Sequence, residues 1–147
     1  MEWILKAAND QNAIRTRKEA IARTAPTLWK NICEAIGQAV KFYASLPYPT
    51  QPVEFSGPAN HTVFVTIFEG TRQERGAERD RVNIVFNQDK LTVEVSSRAN
   101  GTPRVFPISV NAHGYACLMD GAKEVSVEEF TDLALRSALF PDETPAP

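Results

Sequence analysis

Little in this chain is built for chemistry. Histidine occurs twice, at His61 and His113, and cysteine twice, at Cys33 and Cys117. A zinc site needs three or four ligands at workable spacing, and neither C-x-x-C nor H-x-x-x-H is present, so no metal is expected. The seven glycines form neither a Walker loop nor a dinucleotide fingerprint. Gly70 and Gly76 bracket Thr71–Arg75 with no Lys-Ser/Thr after them, so no phosphate cradle and no cofactor are expected. No serine sits in G-x-S-x-G. The absence of any such constellation points away from an enzyme.

Long apolar runs are also missing, which argues against a membrane-spanning helix. The opening residues Met1–Lys6 show no basic region followed by an apolar stretch, so no secretory signal is expected. Two cysteines make no disulfide framework, and two buried free thiols in a cytoplasmic protein are the expectation. Asn60-His61-Thr62 and Asn100-Gly101-Thr102 match the glycosylation sequon, but without a signal the match carries no weight.

What remains is an ordinary globular composition, 43% hydrophobic and 23% charged, over 147 residues. That excludes wholesale disorder, and a chain this long buries a core without staples. Charge is unevenly spread: residues 1–46 carry seven Lys/Arg against four Asp/Glu, and residues 47–147 carry nine against fourteen. Such a dipole can orient self-association. It lacks the dense basic face that nucleic-acid binding requires.

The order of elements reads as one α+β domain over residues 1–140. Residues 1–46 are helical, with Pro26 expected to divide them into a helix near Glu2–Arg23 and another near Pro26–Ser45, capped by Thr24. The second helix confines its polar residues Lys30, Asn31, Glu34, Gln38, Lys41 and Ser45 to one arc of roughly 100°. It is therefore expected to be wedged between layers from Leu28 to Tyr43. The first offers a thin seam, Ala7, Ile14, Ile21 and Leu28 at seven-residue spacing, with Trp3 and Ile4 at its start. That suits packing along the second helix or along a partner chain.

Residues 47–60 hold four prolines and read as an extended connector. Alternating apolar residues from 61 to 119 predict about five strands, joined by links too short for parallel crossovers, and hence an antiparallel meander. Ser126-Val127-Glu128-Glu129 has capping-box spacing and opens a helix over residues 126–140. Its main stripe is Val127, Phe130, Leu133, Ala134 and Ala138. Residues 141–147 form a tail without core residues. The helices are expected on one face of the sheet.

The candidate surfaces follow from this layout. If Val82, Ile84, Phe86, Leu91, Val93 and Val95 face the helices, then Asn83, Val85, Asn87, Thr92, Glu94 and Ser96 line the opposite face. The first strand adds either Phe64 and Phe68 or Val63, Val65 and Ile67 to it. A mixed face of this kind suits a subunit interface or a shallow ligand site, unless loops cover it. The charged stretch Glu69–Arg81 offers Arg72 and Arg75 as anion or partner grips, or is simply a solvated hairpin end. Leu135 and Leu139, off the main stripe of the last helix, are a further contact candidate. Phe64, Phe68, Phe86 and Phe106 are the lining expected if the sheet and helix enclose a small apolar ligand. Cys117 and His113 are the pair a thiol enzyme would use. The leading expectation is a non-catalytic interaction module that forms a homodimer.

Overall fold

The computed structural model describes residues 1–142; most of the expected tail, residues 143–147, lies outside the described residues. Helix α1 (Glu2–Ala44) runs 43 residues without a break, with Pro26 inside it. The expected division into two helices is therefore corrected. A proline removes one N–H and crowds the carbonyl four residues back, here that of Ala22. Packing on both sides of it overrides that cost: Ile21, Ala25, Leu28 and Trp29 are buried, while the Pro26 ring points to solvent. Thr24 is no cap. Its hydroxyl donates to the Ala20 carbonyl at 2.8 Å and accepts the Ala116 amide at 2.8 Å, pinning the helix to the sheet.

Seven strands follow: β1 (Val53–Ala59), β2 (Thr62–Gly70), β3 (Arg75–Asn87), β4 (Thr92–Ser97), β5 (Arg104–Val110), β6 (Ala116–Asp120) and β7 (Lys123–Val125). They pair in sequence order, each antiparallel to the next. The five strands read from the sequence are β2 to β6. The two additions are the sheet edges. β1 was hidden by the prolines around it, which an edge strand tolerates because one side of its ladder is unpaired. Its register shifts between Ser56 and Ala59, where Pro58 lies. The chain then reverses through Asn60 and His61, both at positive φ, the conformation a two-residue hairpin turn requires.

The charged stretch is less of a loop than its composition suggests. β3 begins at Arg75, and Gly70 pairs with Arg75 across the turn. Gly70 adopts φ +94°, and a Cβ there would fall 2.2 Å from the Glu74 carbonyl oxygen, so only glycine fits.

Helix α2 (Val127–Leu139) starts as expected, with the Ser126 hydroxyl accepting the Glu129 amide at 3.0 Å. Both helices lie on one face of the sheet. α1 approaches β1 as well as β5 and β6, so the sheet curls around it. Ile32 and Ile36 are fully buried, against Val63, Val65, Ile67, Ile84 and Val93 in one core. Trp29 stacks on Phe86 with centroids 5.8 Å apart, and Phe130 of α2 meets Phe106 edge-on at 5.0 Å. α2 covers α1 from the side, so the wedging of Leu28–Tyr43 is real but incomplete. Phe42 is 70% exposed.

The stripe of α2 is also corrected. Leu133 is exposed, whereas Leu135 and Leu139 are buried with Phe130, Ala134 and Ala138. α2 touches both α1 and β3, so its buried arc is wider than one sheet contact would need. Its C-terminus is fastened by Arg79, which donates to the Ala138 carbonyl at 2.5 Å and to Gln51 Oε1 at 2.6 Å. A cation there satisfies an end carbonyl and meets the negative pole of the helix.

Two stability outcomes follow. Pro26→Ala should raise the free energy of unfolding by about 1–3 kcal/mol in urea titrations, because a helix-interior proline costs about 3 kcal/mol against alanine and no packing is removed. Arg79→Met should lower it by about 1–2 kcal/mol by stripping α2 of its end partner.

Candidate functional site

The sheet face opposite the helices carries Phe64, Phe68, Val85 and Glu94 together, as one reading of the register required. Cross-strand pairing places Phe64 between Ser56 and Asn83, with Ser96 beyond Asn83, and Val85 between Thr62 and Glu94, which in turn neighbours Val105. The two phenylalanines are not bare. The Arg75 guanidinium lies 3.4 Å over the Phe68 ring and that of Arg81 5.5 Å over Phe64. Asn83 Oδ1 and Thr92 Oγ1 are buried on this side without a hydrogen-bond partner among the described residues. The face is thus a half-polar surface partly roofed by its own arginines, with Val105 its most exposed apolar residue.

Arg72 and Arg75 are already engaged. Arg72 donates to Thr50 Oγ1 at 2.7 and 3.0 Å and to the Tyr48 carbonyl at 3.4 Å. Arg75 pairs with Glu54 at 2.5 Å. Together they tie the β2–β3 hairpin to β1 and to the segment leading into it, which accounts for the charge without an external anion.

The four phenylalanines proposed to line one enclosure do not converge. Phe64 and Phe68 lie on the open face, whereas Phe86 and Phe106 belong to the core under the helices. Cys117 and His113 do not form a reactive pair either. The segment Asn111–Tyr115 does fold back, with the Asn111 side chain accepting the amides of His113 and Tyr115. That leaves His113 exposed at the tip and Cys117 buried in β6. Burial, reinforced by the Glu124 carboxylate beside it, pushes the Cys117 thiol up to about 11. Burial does the same at Cys33, also to about 11. Neither is a nucleophile near neutrality.

Two surfaces stand out that the individual motifs did not name. The first is the N-terminal part of α1. Residues 2–19 are exposed throughout, projecting about 27 Å at 1.5 Å per residue. Arg17 reaches back to Ser109 Oγ at 2.6 Å near the point of departure. Beyond it Trp3 is 69% exposed and Ile14 56%, with Ile4 and Leu5 also open. Along this arm Ala8, Gln11, Ile14 and Lys18 face open space, with no other element against them among the described residues. Of the seam noted in the sequence, Ile21 and Leu28 are buried in the core and Ala7 and Ile14 are exposed; because α1 is one continuous rod, its first part cannot lie along its second.

The second is a cleft of about 800 Å³ between the C-terminal part of α1 and α2. Ala35, Ala39 and Phe42 form one wall, and Val127, Thr131, Leu139 and Phe140 the other, with Leu46 and Tyr48 closing an end. Leu135 and Leu139, named as surface contacts, are core residues; the edge of Leu139 lines this cleft, and Leu135 lines a smaller recess of about 330 Å³ beside it. On the rim Asp132 pairs with Arg136 at 2.5 Å, which holds its carboxyl below the usual range. Among the described residues no cluster of three or more His, Cys, Asp or Glu is placed to hold a metal ion, and no helix is long and apolar enough to cross a membrane.

The thiols give a pH test. Each ionises more readily in the unfolded chain, so its contribution to stability is complete below about pH 9 and is lost as pH rises towards 11. Iodoacetamide labelling of the native protein at pH 8 should run roughly a hundredfold slower at both sites than in the urea-unfolded chain. Fast labelling of native Cys117 would reopen a thiol mechanism.

Comparison with protein-family models, with curated proteins and with solved structures gives no match for this chain, so the geometry above is the whole basis for a functional reading.

Proposed function

We propose that this chain is a non-catalytic protein-interaction module that self-associates as a homodimer, acts in the cytoplasm, and uses neither nucleic acid nor a membrane as its partner. The observation that carries the reading is the arm of α1. Protein helices owe most of their stability to the packing of one face against a neighbour. Here that face exists, as Ile4, Ala7 and Ile14, and nothing within the described residues packs on it.

Large apolar residues exposed in a row mark association surfaces rather than solvent-facing ones. Trp3 is the type of residue that anchors interfaces, since it brings about 150–250 Å² of contact area and few rotatable bonds. The uneven charge of the two parts of the chain supports pairing between unlike surfaces of two copies. A small apolar ligand gains no comparable support, because its expected lining is split between the two faces of the sheet.

Sedimentation velocity at micromolar concentration should give a dimer. The Trp3→Ala/Ile14→Ser double variant should weaken it by roughly 2–4 kcal/mol, about thirty- to a thousandfold in Kd. Its melting temperature, extrapolated to the dissociated chain, should stay unchanged, since neither side chain touches the core. A parent protein that sediments only as monomer sinks the reading.

A further inference from the structure

We infer that the arm of each copy docks in the cleft between α1 and α2 of the other, so that the dimer forms by reciprocal exchange of arms. The inference rests on the self-association proposed above and goes further by naming both halves of the contact.

Three observations join the two surfaces. The first is shape. The cleft wall supplied by α1 is built of small residues, Ala35 and Ala39, with Phe42 at one end. The arm tip is built of large ones, Trp3, Ile4 and Leu5, all exposed. Small residues opposite large ones is how two helical surfaces interdigitate.

The second is charge. Lys6 on the arm and Glu128 on the cleft rim each lack an ion-pair partner among the described residues. The arm tip is also the positive pole of α1, with no side chain capping its free N–H groups. One end of the cleft, lined by Phe42, Tyr43, Leu139 and Phe140, lies at the negative poles of α1 and α2, where Tyr43 and Phe140 meet edge-on at 5.7 Å, while Glu128 marks the other end in the first turn of α2. Bringing the tip into the cleft sets opposite poles together.

The third is geometry. Arm and cleft sit at the two ends of one helix, with Ile4 and Ala39 about 52 Å apart at 1.5 Å per residue. Two copies related by a two-fold axis, with their α1 helices antiparallel, bring tip to cleft at both ends in one step. The spacing that must match belongs to the same rod in each copy. The contact is isologous and closes at the dimer, leaving no arm to propagate a chain. Two such contacts, each with a tryptophan at its centre, together build towards the roughly 1,200–2,000 Å² typical of a stable interface.

The decisive experiment places p-benzoylphenylalanine at position 3 of the full chain and mixes 14N and 15N preparations before irradiation. Mass spectrometry of mixed-isotope cross-links should find the second peptide within residues 35–48 or 127–140. In parallel, Lys6→Glu and Glu128→Lys should each raise the dimer Kd several-fold, and the double exchange should recover the parent value. Mixed-isotope cross-links from arm to arm, or to the open sheet face, overturn the exchange while leaving the dimer intact. A parent chain that is monomeric at micromolar concentration removes both the dimer and the exchange.

Discussion

Everything in this molecule depends on the burial of one stripe of α1 in the curl of the sheet. Ile32 and Ile36 have no exposed surface, and Trp29 lies flat on Phe86. At about 1.5–3 kcal/mol for each fully buried large aliphatic side chain, the stripe from Ile21 to Tyr43 is the largest block of stabilisation in the fold. It explains why a proline in mid-helix is tolerated, why seven strands bend to one side, and why α2 has a flank to lean on. Without α1 only α2 would cover the inner face of the sheet.

That stripe was legible in the sequence because its polar residues crowd into one arc. Helical periodicity over many residues is the strongest local signal a chain gives. The strands β2 to β6 were legible for the same reason at a period of two, and so was the split of β3 and β4 into an inner and an outer face. The edges were not. β1 is masked by Pro52 and Pro58, and β7 is only three residues long, so neither carries a pattern of its own. Pro26 misled in the opposite direction: its local preference is to end a helix, and tertiary packing outweighed it.

The candidate site was only half visible. The exposed seam of the arm could be read from Ala7 and Ile14, and the register put Phe64, Phe68, Val85 and Glu94 on one surface. Leu135 and Leu139 were misjudged because a single-faced helix was assumed, whereas α2 packs on the sheet and on α1 at once. Arg79 looked like one charge among many in a charged stretch. Its clamp on Ala138 spans 59 residues of sequence, and no local pattern encodes a partner so distant. The cleft needed two helices brought side by side before it existed at all.

The bond between Thr24 and the Ala116 amide bridges 92 residues, and it has a bearing on how the chain is made. α1 leaves the ribosome before the strands that shelter it, with Leu28, Trp29, Ile32 and Ile36 in a greasy row. At synthesis rates of about 5–20 residues per second, the row waits roughly 5–20 s for β6 to arrive. The nascent helix is in that interval an adhesive rod with no sheet to hold it, open to chaperones and to neighbouring nascent chains alike.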